Sequence, residues 1–176
     1  MPQHEITPEA ESLIDEIRVA FRGVPQGPLS LHQAAIVKYA WDRELADAAA
    51  LDLDRSWEGI PDEAIEACGK ALYGADAESW RYLVPAFMVW SLRIYRVNQS
   101  FVSDQVIYGF DPYSAKKDNS LHQRDIHRYE TLSPAQRRTV LHFLEHMAQD
   151  DVFGDSRAAR RAIDNYWGQF GSPKPA

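Results

Sequence analysis

Three residues in the second half of the chain have the spacing of a zinc site. His142, Glu145 and His146 fit the pattern H-x-x-E-H, in which two histidines one helical turn apart hold zinc and the glutamate activates water. On a helical wheel, however, both histidines point away from the apolar stripe of their segment, where nothing would build a dry pocket with a third ligand. Five-residue patterns also arise by chance. We therefore predict an exposed histidine pair and no metal site.

A second pair of candidate ligands is Asp52 and Asp54. In an extended segment alternate side chains share one face, so the two carboxylates could bind a divalent cation together. Acidic pairs before a turn more commonly accept hydrogen bonds from backbone amides. The pattern is too short to predict a metal site here.

No motif for nucleophilic or cofactor chemistry is present. Cys68 is the only cysteine, and no neighbour in the sequence would lower its pKa, so we expect a small buried or half-buried thiol and not a nucleophile. The chain has no G-x-S-x-G segment, no glycine-rich phosphate loop and no dinucleotide fingerprint. We therefore predict no catalytic residue and no cofactor.

Composition and charge narrow the class of protein. Hydrophobic residues make up 45% of the 176 and charged residues 26%, which is ordinary globular usage. The net charge is −7, and residues 1–80 carry 16 acidic and 6 basic side chains, which argues against nucleic acid as the partner. The N-terminus lacks the basic and apolar regions of a secretory signal, and the apolar stretch 82–90 is too short for a bilayer. A cytoplasmic protein with no membrane partner is expected.

Polar residues mark the beginnings of four helices. Thr7 precedes Pro8, Ser133 precedes Pro134, and Ser30 stands three residues before Gln33, as in a capping box. Asp155 or Ser156 is expected to cap the last helix. In the helix after Ser30, the sequence places Ala34, Val37 and Trp41 along one apolar side.

The segment 76–96 is predicted to be the central helix. Its large apolar residues fill an arc of about 160° on the wheel, which is wider than a surface helix needs. Pro85 lies inside it and removes one backbone hydrogen bond, so we expect a kink. The predicted fold is all-α: an irregular single-domain bundle over residues 1–176 around this kinked helix, with 171–176 a loose tail.

The helical period is interrupted between residues 97 and 117, where we predict one long ordered loop. Long loops in compact domains are commonly functional, so we place the binding surface on Ser100, Ser103, Asp104 and Tyr108. The second choice for that surface is Asp52, Asp54 and Trp57, which combine carboxylates with an aromatic anchor. The alternative is that these side chains only brace the loop and cap helix ends.

Several phrases together resemble a bacterial domain family of unknown function that occurs as small standalone proteins. They are residues 13–17 (LIDEI), 51–57 (LDLDRSW), 80–88 (WRYLVPAFM), 100–104 (SFVSD) and 132–136 (LSPAQ). The resemblance covers most of the chain and implies bacterial origin and one compact domain. It supplies no activity and no catalytic residues.

We consider two hypotheses for the function. The first is a non-catalytic binding protein that regulates or neutralises a partner protein, because a catalytic constellation is missing and the N-terminal half is acidic. The alternative is a metal-dependent hydrolase whose site is made from Asp52, Asp54, Asp104 and one or more histidines. The sequence leaves the oligomeric state open.

Overall fold

The computed structural model describes residues 6–52, 56–94, 101–112, 119–149 and 155–171. In these ranges the chain forms ten α-helices and two 3₁₀ turns and contains no strand, so the predicted all-α fold is confirmed. The helices are α1 (Pro8–Ala20), α2 (Leu31–Ile36), α3 (Asp42–Ala49), α4 (Asp62–Ala67), α5 (Ala71–Gly74), α6 (Ala77–Ile94), α7 (Phe101–Gly109), α8 (Asn119–Glu130), α9 (Pro134–Met147) and α10 (Ser156–Asn165). The 3₁₀ turns are Trp57–Gly59 and Trp167–Phe170.

The predicted capping residues begin their helices. The Ala10 amide donates to the Thr7 hydroxyl over 3.2 Å at the start of α1. Ser30 and Ser133 each form a reciprocal capping box with the glutamine three residues on. Asp155 accepts the Ala158 amide over 3.0 Å at the start of α10. These bonds satisfy amides that have no partner inside the helix, so the sequence fixes each helix start locally.

Helix α6 is the centre of the fold. All but a few of its residues are buried, and it packs against α1, α7 and α8. Pro85 lies inside the helix, which continues from Ala77 to Ile94; the kink stays a prediction. Asp76 caps it by accepting the Ser79 amide over 3.1 Å and the Ser79 hydroxyl over 2.6 Å. Within the described ranges no helix combines the length and the apolar character that a membrane span requires.

An aromatic cluster joins α6 to the C-terminal helices. The Phe110 ring stands edge-on to Trp80 at 5.7 Å and to Trp167 at 5.4 Å between ring centroids, which is a favourable aromatic geometry. The Trp167 indole nitrogen also donates to the Phe110 carbonyl over 2.8 Å. Phe110, which lies within the segment predicted to be a loop, is therefore held at the core.

The predicted long loop at 97–117 is wrong where the structure describes it. Residues 101–109 form α7, and only 95–100 and 113–118 lie outside the described residues. Val102 and Val106 are buried one helical turn apart, as are Ser103 and Ile107. This is the spacing of one helix face, and the polar residues Ser103 and Asp104 obscured it.

Candidate binding surfaces

The first predicted surface lies on α7 and is only partly exposed. Ser100 lies outside the described residues. Ser103 is 2% exposed, and its hydroxyl has no hydrogen-bond partner among the described residues, so it faces the interior and not a ligand at the surface. Asp104 is half-buried, and burial followed by the charge of Asp155 raises its pKa. Tyr108 is exposed.

Tyr108 braces α7 against α10. Its hydroxyl donates to the Asp155 carboxylate, the same group that caps α10. This hydrogen bond is the main reason that the pKa of Asp155 lies below its ordinary value and that the pKa of Tyr108 lies above its own. The contact gives Tyr108 a structural role, whereas a role in binding stays a prediction.

The second predicted surface does not form as expected. Asp54 lies outside the described residues. Asp52 is buried and accepts the His32 amide over 2.8 Å, and its second oxygen lies 2.8 Å from the Nδ1 atom of the same histidine. Trp57 is 4% exposed and donates its indole N–H to the Phe21 carbonyl over 3.0 Å. The prediction of Trp57 as an exposed anchor is therefore wrong, because the indole belongs to the core.

A cleft of about 230 Å³ lies between α5, α7 and α8. One wall is Tyr73 and Leu72 of α5, and the opposite wall includes Gln105 of α7. Helix α8 contributes Arg124 and Arg128. The cleft therefore borders α7, the helix that contains the predicted binding residues Ser103, Asp104 and Tyr108. The residues of α5 and α8 that line the cleft were not predicted to bind.

The charges in the cleft are unequal. The Asp125 carboxylate lies 3.1 Å from Nη2 of Arg124 and 3.5 Å from Nη1 of Arg128, so two guanidinium groups share one anion. Arg128 is 4% exposed and also donates to the carbonyls of Tyr73 and Ala75. Its burial, followed by the charge of Arg124, lowers its pKa to about 10. One positive charge is left without a matching carboxylate among the lining residues.

Arg124 is the more accessible of the two arginines. Its side chain is 30% exposed, and its guanidinium carbon lies 5.0 Å from the centre of the Tyr73 ring. Lys38 of α2 lies over the same ring with its ammonium 3.4 Å from the centre. Tyr73 therefore holds two cations at one edge of the cleft by cation–π attraction.

An aromatic surface lies between α2 and α3. Tyr39 is 85% exposed and Trp41 is 82% exposed, whereas the other four tryptophans are buried. The expectation that Trp41 shares an apolar stripe with Ala34 and Val37 is wrong, because α2 ends at Ile36 and Trp41 precedes a new helix. We call Tyr39, Trp41 and the exposed side of α3 the α3 surface.

Helix α3 has little support of its own. Only Ala48 of its residues is buried, and its main neighbour is α2. The Gln33 side-chain Nε2 holds it by donating to the Leu45 carbonyl over 3.1 Å, and the Glu44 carboxylate accepts the Trp41 backbone amide over 2.8 Å. Short helices depend on tertiary packing for stability, and this one leaves most of its surface uncovered.

The histidine pair lies on an open groove between α1 and α9. The His142 side chain is exposed, with Nδ1 2.9 Å from the Glu16 carboxylate, which also accepts the Thr139 hydroxyl over 2.8 Å. His146 lies one turn further along the groove. In the part of the chain that the structure describes, no three His, Cys, Asp or Glu side chains are grouped so that they could hold a metal ion.

Cys68 is buried, as predicted. Burial, followed by the charge of Asp52, raises the pKa of its thiol to about 11. At neutral pH the thiol is therefore protonated almost completely and is a poor nucleophile.

Sequence reasoning missed both the cleft and the α3 surface. The four-residue spacing of Arg124 and Arg128 was a local signal that both lie on one side of a helix. Nothing local indicated that α5 and α7 would close a cleft in front of them. For Trp41, the signal was its position directly before the acidic start of a new helix, outside any apolar period.

Comparison of the sequence with known proteins places it in a protein family. The sequence matches none of the curated proteins and none of the solved structures compared with it. A sequence model described as "Family of unknown function (DUF6714)" matches residues 9–170. This range covers all ten helices except the first residue of α1. The chain therefore belongs to this family of unknown function, DUF6714.

Proposed function

We propose that this is a non-catalytic binding protein that regulates or neutralises a partner protein, which it engages through the α3 surface. The observation that carries the proposal is the exposure of Tyr39 and Trp41, at 85% and 82%. Tryptophan and tyrosine are the residues most enriched where a few side chains supply most of the binding energy. Two such side chains two positions apart form a natural anchor.

The backbone beneath these rings is already ordered. The Tyr39 amide donates to the Ile36 carbonyl over 2.9 Å, and the Trp41 amide is held by Glu44. A side chain presented from a fixed backbone loses less conformational entropy on binding. The α3 surface is therefore suited to binding a partner without first folding.

The charge around the rings indicates the chemistry of the partner. Helix α3 exposes Asp42, Glu44 and Asp47 against one arginine, Arg43. We therefore expect a partner with an apolar pocket surrounded by basic residues. The same acidic charges would repel one another if two copies of this chain met through α3, which favours a different protein as the partner.

The hydrolase alternative receives no support from the described residues. Asp52 is buried, and both of its oxygens are engaged by His32. Asp104 is half-buried near Asp155.

Photo-crosslinking in cells of the source organism tests the proposal. A benzophenone amino acid is placed at the exposed position of Arg43, and at the exposed position of Arg138 on α9 as a matched control. The expected result is a specific adduct from position 43 that position 138 does not give. Mass spectrometry of the adduct identifies the partner, which is then purified.

Binding of the purified partner is then compared between variants. Tyr39→Ala and Trp41→Ala should each weaken it by about tenfold or more, as for anchor residues. Phe101→Ala removes a ring that is 67% exposed on α7 and should leave affinity unchanged. An adduct that contains only a second copy of this chain, or equal affinity in all three variants, would refute the proposal.

A further inference from the structure

The residues that line the cleft between α5, α7 and α8 carry one more positive charge than negative charge. Arg124 and Arg128 share the Asp125 carboxylate, and the other residues that line the cleft are neutral. Two like charges this close repel each other, and the partial burial of the cleft weakens screening by water. A second anion beside them would remove the repulsion.

The role of Arg128 is structural. It is buried and binds the backbone carbonyls of Tyr73 and Ala75, at the end of α5. Its charge therefore cannot move away from the cleft without loss of these bonds. Arg124 has no such backbone contacts in the described structure, and it remains accessible from solvent.

The opposite side of the cleft supplies a neutral donor. Gln105 of α7 lines the cleft and is half-buried. Its side-chain amide forms no hydrogen bond with the residues that the structure describes, although it stands opposite α8. Leu72 and Leu121 provide apolar walls beside these polar groups.

From this arrangement we infer that the cleft binds a small organic anion, with its carboxylate or phosphate against Arg124 and Gln105 and its apolar part against Leu72 and Leu121. Arginine is the residue best suited to both anionic groups, because its planar donors match their oxygens. The volume of about 230 Å³ restricts the ligand to the size of a single ring or a short chain. Arg128 and Asp125 position Arg124 and do not contact the ligand.

Isothermal titration calorimetry of the whole protein at constant ionic strength tests the inference. The aromatic anions benzoate and phenyl phosphate are compared with their simple counterparts, acetate and inorganic phosphate. At least one aromatic anion should bind saturably at one site and more tightly than its simple counterpart. Which of the two does so distinguishes a carboxylate from a phosphate ligand. Arg124→Gln should weaken binding by about tenfold or more, because one charge-assisted hydrogen bond is lost.

Two further variants control for charge and folding. Arg138→Gln removes the same charge from an exposed position on α9 and should bind the anion like the wild type. Gln105→Ala should weaken binding severalfold, and it tests the site independently if Arg124→Gln fails to fold. The inference would be refuted if neither aromatic anion bound saturably, or if neither bound more tightly than acetate and phosphate. It would also be refuted if Arg124→Gln and Gln105→Ala bound the anion as tightly as the wild type.

Discussion

Gly74→Ala is expected to destabilise the protein although alanine is the better helix former. Gly74 ends α5, and a Cβ at this position would lie 2.0 Å from the Ala34 carbonyl oxygen of α2, whereas ordinary contact begins at 3.4 Å. The obstructing atom belongs to the backbone and cannot rotate away. Helices α2 and α5 would therefore have to separate by roughly 1 Å or more, which weakens the dispersion attraction across their whole interface.

The size of the effect follows from two opposing contributions. Overpacking of this kind costs about 1–3 kcal/mol, and a backbone clash belongs at the upper end. Alanine in place of glycine in a helix returns up to about 1 kcal/mol. The free energy of unfolding should thus fall by about 2 kcal/mol, and the melting temperature by about 4–8 °C for a chain of this length.

Gly109→Ala is the matched control, because Gly109 ends α7 and a Cβ there would meet nothing within 4 Å. It should raise the free energy of unfolding by about 0.4–1 kcal/mol through the reduced entropy of the unfolded chain. Urea unfolding followed by circular dichroism measures both variants, and the midpoints should move in opposite directions with similar slopes. A Gly74→Ala protein as stable as the wild type would show that the close approach of α2 and α5 is not required.

Three further predictions concern single side chains. Trp57→Phe removes the indole N–H that donates to the Phe21 carbonyl, which keeps only the Val24 amide, and it shrinks a buried ring. The free energy of unfolding in urea should therefore fall by about 1–3 kcal/mol, whereas Trp41→Phe should change it by no more than about 0.5 kcal/mol. Phe87→Ala removes a fully buried ring of α6 and should cost about 3–5 kcal/mol; a smaller loss would mean that the cavity collapses. Asp104→Asn should raise the melting temperature at pH 7. Burial, followed by the charge of a neighbouring carboxylate, raises the pKa of Asp104 in the folded state, so its ionised form opposes folding. This gain should disappear as the pH falls through that pKa and below the unfolded value of about 3.9, and a gain that persists at pH 2 would contradict the electrostatic cause.

The features that the sequence predicted are those that depend on near neighbours. The caps at Thr7, Ser30 and Ser133 lie within three residues of their partners, and each forms as expected. The wide apolar arc of α6 likewise predicted a helix surrounded by others. Helix α7 was missed because its apolar face is short and its polar residues resemble those of a turn.

Burial of individual aromatics depends on how distant segments pack, and here prediction from the sequence failed. Trp57 and Trp41 each precede an acidic residue, yet the first donates to Phe21 in the core and the second is exposed. The turn at Trp57 packs against α6 and its indole donates to the carbonyl that ends α1, whereas the main neighbour of α3 is α2. The same holds for the cleft, since Gln105 of α7 and Arg124 of α8 are far apart in the sequence and line it together only in the folded chain.

Because Trp41 is exposed, the intrinsic tryptophan fluorescence of the protein can report on the α3 surface. The Trp41 indole emits from water, at longer wavelength than the indoles of the four buried tryptophans, and aqueous iodide can collide with it while the others are shielded. The quenched fraction of the emission therefore reports on this one ring. A bound molecule that covers α3 would shift that emission to shorter wavelength and protect it from iodide, without any label attached to the chain.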